Sequence, residues 1–359
     1  MSQNQRSSNS KKVKRIIALL ALLTGLSSGA VIAAKELFDS CFERYEKKEL
    51  YNIYGEFDYS RVETKLDRQE LHFYSKKVKL QGYFYPAEES KGIVVVSHGM
   101  HAGADDYLPI IAYLVESHFS VFAYDCTGTY NSEGDSTVGM VTPLVDLDHA
   151  LQYIKGEPAF SNQPLFLLGH SWGGYAATSV LAIHQDIKAC AAIAPFNSGY
   201  TLIAEKGEQY VGPLAGGIPR IFLDVYQKIL FKEYTKYTGV KGINSTDIPV
   251  LIAHGDKDSV IPFDKQSIIS RRNEIRLDNV YYYVGKDEHS GHNTIMHSKA
   301  AVHYQEEVAV RLAELKAQKG KDLTEEDLKA FCDTIDHSLY SEVNEELMEQ
   351  IVNMFNKAI

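Results

Sequence analysis

Residues Leu165-Phe166-Leu167-Leu168-Gly169-His170-Ser171-Trp172-Gly173-Gly174 decide how the chain is read. An apolar run leads into Gly-x-Ser-x-Gly, and an alanine-rich stretch, Tyr175 to His184, follows. The run reads as a buried strand and the stretch after it as a helix. A serine between the two sits on a strained turn, with a positive φ expected, so that its hydroxyl projects beyond the strand end. Gly169 and Gly173 lack a Cβ, which lets strand and helix approach that closely.

Outward from this stretch the chain alternates strand and helix patterns. Leu71 to Tyr85 alternates apolar and polar residues around Ser75-Lys76-Lys77 and predicts an antiparallel hairpin at a sheet edge. Gly92 to Ser97 is β-branched and apolar throughout, as a central parallel strand requires. Tyr107 to Ser117 reads as a helix, and Phe119 to Asp125 as the next strand. Thr142 to Lys155 carries Leu144, Leu147, Leu151 and Ile154 at helical spacing. Further strands are expected over Ile187 to Ala194, Pro249 to Ala253 and Val280 to Val284. Phe196 to Asp247 fits no strand–helix unit; Gly212, Pro213, Gly216, Gly217 and Pro219 break it into pieces.

The Gly-x-Ser-x-Gly turn in its strand–turn–helix setting resembles the nucleophile elbow of the α/β-hydrolase superfamily. The resemblance covers roughly residues 69–318. It implies a mostly parallel sheet with helices on both faces, and Ser171 as nucleophile. It makes His98-Gly99-Met100 the start of an oxyanion loop, with the Met100 and Trp172 backbone N–H groups as donors. Gly128, Ser132, Gly134 and Asp135 resemble the family's Asp-x-x-Gly-x-Gly-x-Ser loop, with the second glycine displaced. His254-Gly255-Asp256-Lys257-Asp258-Ser259-Val260-Ile261-Pro262 resembles the acid loop and gives Asp258 the role of orienting carboxylate, with Asp256 as the competitor. After the last strand the family's base commonly follows a glycine, which selects His292 over the runner-up His289. The insertion at 196–247 corresponds to a helical cap over the site; the alternative is a helical layer packed on the sheet. The pattern is similar to the group holding monoglyceride lipases, lysophospholipases and serine aminopeptidases. It implies hydrolysis of a carboxylic ester, lipid-like or with a small acyl group. Amide or peptide hydrolysis, acyl transfer, and a membrane-tethered binding protein without turnover remain the alternatives.

Composition bounds the partners. The chain has 359 residues, 45% hydrophobic and 23% charged, an ordinary globular balance. Its formal net charge of −10 comes without a basic stripe and argues against nucleic acid as a partner; the small acyl substrate is what the resemblance implies. Cys41, Cys126, Cys190 and Cys332 lie far apart with no C-x-x-C spacing, so neither a zinc ribbon nor a redox pair is expected. Cys126 and Cys190 read as small buried hydrophobes. The histidine pairs His98 and His101, or His289 and His292, lack convergent carboxylates, so no metal or cofactor is expected.

Ile16 to Ala34 is an uncharged stretch of about twenty residues, long enough to cross a bilayer as a helix. Arg6, Lys11, Lys12, Lys14 and Arg15 precede it, which puts the N-terminus in the cytoplasm and the remainder outside. The stretch is a retained signal anchor, or a signal peptide cleaved after Ser28-Gly29-Ala30 with the remainder secreted. The expected order is a tail (1–12), the membrane segment (13–34), a linker (35–68), the hydrolase-like domain (69–318) and C-terminal helices (319–359). Ala300 to Gln318 reads as a helix that ends at Lys319-Gly320-Lys321. Thr324-Glu325-Glu326-Asp327 resembles a capping box, and Ser341 is expected to open a last helix whose apolar face packs on the core.

Overall fold

The computed structural model of the chain describes residues 35–36, 39–47, 58–61, 66–199, 225–276 and 278–359. The tail and membrane segment expected over 1–34, and residues 200–224 of the insertion, lie outside the described residues. Among the described residues no helix is long and apolar enough to cross a membrane.

Eight strands form one sheet in the order β1-β2-β4-β3-β5-β6-β7-β8. They are β1 (Gln69–Ser75), β2 (Val78–Tyr85), β3 (Ile93–Ser97), β4 (Ser120–Tyr124), β5 (Leu165–His170), β6 (Ile187–Ile193), β7 (Val250–Gly255) and β8 (Val280–Gly285). The β1–β2 hairpin is antiparallel and joins the sheet antiparallel to β4, and every later pairing is parallel. Each strand expected from the sequence is present. The central strands β3, β4 and β5 are buried at every residue, which is why they read as unbroken apolar runs.

Alternate residues of these strands feed two helical layers. Val95 and Leu167 face α2 (Thr142–Gly156), α3 (Trp172–Val180) and the short α4 (Gly239–Ile243). Val94, Val96, Phe166 and Leu168 face α1 (Leu108–Glu116) and α8 (Glu345–Lys357). The remaining helices, α5 (Lys299–Lys319), α6 (Glu325–Cys332) and α7 (His337–Tyr340), bring Val308, Leu312, Phe331 and Ile335 into a smaller cluster. All four cysteines are free thiols, and Cys126 and Cys190 are fully buried.

Three details depart from or extend the sequence reading. The last helix opens at Asn344, whose side chain accepts from the Leu347 N–H, rather than at Ser341. Ser341 instead closes α7, donating its hydroxyl to the His337 carbonyl. Asparagine and serine cap equally well, so sequence alone does not rank the two. The Thr324–Asp327 capping box is present at the start of α6. The described parts of the stretch read as a linker pack on the domain: Phe42 and Leu66 are buried, and Glu43 and Tyr45 bridge to Ser136 and Thr129. In the insertion, Phe231, Val240 and Ile243 join the core beside α3.

Helix α8 belongs to one of the two layers and is not an appendage. Phe355 is fully buried, its ring 5.0 Å from that of Phe166 and 5.8 Å from that of Phe119. Truncating a buried aromatic leaves a cavity as well as removing apolar contact. Phe355→Ala is therefore expected to cost about 3–5 kcal/mol by urea denaturation, whereas a loosely attached helix would lose almost nothing.

Candidate active site

Ser171 occupies the turn between β5 and α3 with φ 54° and ψ −110°. Two backbone contacts impose that conformation. The Ser171 N–H donates to the Ile193 carbonyl at 2.8 Å, which ties the turn to the end of β6. A Cβ on Gly173 would lie 2.0 Å from the Ser97 carbonyl oxygen, so α3 touches the end of β3 backbone to backbone. Only glycine permits that approach, and it leaves Ser171 at the rim of the sheet.

The chain brings three distant side chains together there. His292 Nε2 lies 2.9 Å from Ser171 Oγ, and His292 Nδ1 lies 2.7 Å from Asp258 Oδ2. Asp258 follows β7, and His292 follows β8 after a short 3-10 turn, so both loops leave the same end of the sheet. The runners-up are elsewhere. His289 lies 3.5 Å from the Tyr283 hydroxyl, and the Asp256 side chain is exposed.

Asp258 is surrounded by donors. Its Oδ1 accepts from the Val260 and Ile261 N–H groups, both at 2.8 Å. Its Oδ2 meets His254 Nε2 at 3.2 Å in addition to His292. Burial pushes this carboxyl up, but the hydrogen bonds from His254 and His292 outweigh burial and hold it well below the usual carboxylate range. His254 is fully buried, and its Nε2–H also points at the Ile261 carbonyl, 2.9 Å away. That contact fixes Nε2 as a donor.

The loop after β3 lies beside the serine: a Cβ on Gly99 would be 3.6 Å from that of Ser171. His98 orients the loop. Its Nε2 accepts the Cys126 N–H at 2.9 Å, so Nδ1 carries the proton and donates to the Gly99 carbonyl at 2.7 Å. Burial, which pushes His98 down to about 4, keeps it in that neutral form. The Gly99 carbonyl and the Met100 N–H belong to one trans peptide plane. Holding the carbonyl toward His98 therefore turns the Met100 N–H the opposite way. Trp172, the other expected donor, is the first residue of α3, where the N–H has no acceptor within the helix.

A chain of hydrogen bonds that the sequence reading missed links these segments. The Gly99 N–H donates to the Tyr107 oxygen at 2.9 Å, so the Tyr107 O–H donates to His170 Nδ1 at 2.7 Å. His170 Nε2–H then donates to the His292 carbonyl at 3.2 Å. Backbone groups at both ends set the polarity. His170 must stay neutral, and burial, aided by the neighbouring His292, pushes it down to about 3. In the sequence His170 is a variable residue of the motif and Tyr107 merely opens a predicted helix, so neither carried a signal.

Tyr107→Phe removes the shared hydroxyl and leaves the Gly99 N–H and His170 Nδ1 buried without partners. A loss of about 1–3 kcal/mol in stability by urea denaturation is expected. A neutral result would mean that water or a shifted side chain replaces the hydroxyl.

Known proteins share parts of this sequence and its fold. Residues 88–224 match the family model described as serine aminopeptidase, S33. The chain is 28% identical over 193 residues to YfhR of Escherichia coli, covering 52% of this chain and 61% of that one. It is 26% identical over 183 residues to the lysophosphatidylserine lipase ABHD12 of Danio rerio, covering 49% of this chain and 46% of that one. The chain thus spans about three-fifths of the first relative and about half of the second. Among solved structures an esterase of Pyrococcus furiosus superposes with a TM-score of 0.51 at 20% identity, over 73% of this chain and 96% of that one. With its eight-stranded, mostly parallel sheet and its serine turn, the chain has the α/β-hydrolase fold, and these matches place its similarities among serine hydrolases.

Proposed function

We propose that the chain is a serine hydrolase that cleaves a carboxylic ester, lipid-like or with a small acyl group, through Ser171, His292 and Asp258. The observation that carries this reading is the continuous contact from Ser171 Oγ to His292 Nε2 and from His292 Nδ1 to Asp258. Ser171 Oγ attacks the acyl carbon while His292 Nε2 takes the hydroxyl proton. Negative charge gathers on the former carbonyl oxygen, and the Met100 and Trp172 N–H groups donate to it. The carbon–oxygen bond to the leaving group breaks, and His292 returns the proton to that oxygen. Water, deprotonated by His292, then attacks the acyl enzyme, releases the acid and restores Ser171. Asp258 accepts from His292 Nδ1 throughout, which fixes the tautomer and steadies the imidazolium. The name of the Danio rerio relative supports a lipid-like acyl group.

A fluorophosphonate probe is expected to label the wild-type chain and leave Ser171→Ala unlabelled. On p-nitrophenyl butyrate, His292→Ala is expected to lose roughly a thousandfold or more in kcat, and His289→Ala to keep wild-type turnover. Equal labelling of Ser171→Ala, or a loss confined to His289→Ala, would refute the assignment.

We also propose attachment to the membrane through the apolar stretch 16–34, with the hydrolase domain beyond the cytoplasmic face. The support is the length of the stretch and its basic flank in the sequence. Alkaline carbonate extraction of cell membranes is expected to leave the full chain in the pellet. Full release into the supernatant, with a mature N-terminus near Val31, would replace the anchor with a cleaved signal peptide.

A further inference from the structure

We infer that residues 42–47 form a strap that holds the oxyanion loop in position, so that the segment following the apolar stretch is part of the catalytic apparatus rather than a spacer. The catalytic half of this inference rests on the hydrolase reading above.

The strap is bound along its length to the loop after β4. The Tyr45 N–H donates to the Gly128 carbonyl and the Tyr130 N–H to the Tyr45 carbonyl, each at 2.9 Å. The Thr137 N–H donates to the Phe42 carbonyl at 2.8 Å. Between these, the Arg44 guanidinium donates to three carbonyls, those of Tyr130 (2.6 Å), Ser132 (2.8 Å) and Gly134 (3.0 Å). A planar fork of donors that takes three carbonyls fixes the path of a loop that has no regular structure of its own.

That loop and the strap meet the oxyanion loop at alternate residues. His101 faces Tyr45, with ring centroids 5.3 Å apart. Gly103 faces Tyr130 so closely that a Cβ there would lie 2.1 Å from the ring. Asp105 pairs with Lys47 at 2.5 Å and with Arg68 at 3.0 Å. Tyr45 and Tyr130 stack on each other, and the Tyr130 hydroxyl donates at 2.8 Å to the Asp106 carboxylate that also takes the Gly103 N–H.

The strain in the loop says why such support matters. His101, next to Met100, has φ 60°, a conformation a non-glycine residue keeps only when its surroundings over-determine it. The strap supplies the surroundings on the outer side, as His98 and Tyr107 do on the inner side. Arg44 and Tyr45 are thus positioning residues, acting on the Met100 N–H through His101 and Tyr130. Cleavage after Ala30 would leave the strap on the enzyme, so both fates of the N-terminus are compatible with it.

The test uses the full chain with Arg44→Ala, Tyr45→Ala and the conservative Arg44→Lys. Each is first checked by thermal melting, and the variants that remain folded at the assay temperature are compared. With p-nitrophenyl butyrate, Arg44→Ala and Tyr45→Ala are expected to lose about tenfold or more in kcat with KM little changed. Affinity for a boronic acid that mimics the tetrahedral state should fall in parallel, and Arg44→Lys should recover part of both. Hydrogen–deuterium exchange at Gly103 and Ala104 is expected to accelerate in Arg44→Ala, a readout independent of turnover. Folded variants with wild-type kcat and wild-type exchange over residues 99–107 would overturn the inference. Faster exchange in a chain whose wild type neither turns over ester nor takes the fluorophosphonate would sink the hydrolase reading and leave the strap as a structural support alone.

Discussion

A single backbone oxygen, that of Ser97 at the end of β3, leaves no room for a side chain at residue 173, and the site is built around that contact. Because α3 starts against β3, the chain between β5 and α3 must turn within one residue, and Ser171 takes the positive φ. Parallel strands end at one edge of the sheet, so the loops after β3, β7 and β8 all open beside that serine. The nearness of Gly99, Asp258 and His292 to Ser171 is a consequence of sheet topology before any side-chain chemistry acts.

Side-chain chemistry then removes the remaining freedom. Two neutral buried histidines take their polarity from backbone groups with fixed roles: His98 from the Cys126 N–H and the Gly99 carbonyl, His170 from the His292 carbonyl. Their tautomers follow from those roles, and each transmits the constraint to the next partner. Asp258 works the other way. It is charged, buried and satisfied by two imidazoles and two backbone N–H groups, so removing it from water is offset locally. The same loop–loop logic extends outward through Arg44, which pairs three carbonyls that no regular ladder would satisfy.

The parts legible in the sequence were those with a local cause. Residues 93–96 and 165–168 announce buried strands because both faces of a central parallel strand are covered. Gly169, Ser171 and Gly173 announce the turn because a strained turn demands particular residues at fixed spacing. Asp258 and His292 were named from the resemblance of their loops, and the chain brings both to Ser171. What escaped were residues whose partners are remote in sequence. Tyr107 and His170 lie 63 residues apart, and Arg44 reaches carbonyls 86 to 90 residues downstream.

The sequence by itself determined the strand–turn–helix unit, the alternation of apolar faces and the residue types able to carry acyl chemistry, because periodicity and turn stereochemistry act over a few residues. Only the tertiary structure decided which histidine meets the serine, which tautomers the buried imidazoles adopt, and that residues 42–47 belong to the domain. Each of those depends on backbone groups and side chains from far-apart segments meeting within hydrogen-bond range, and such meetings leave no spacing to read.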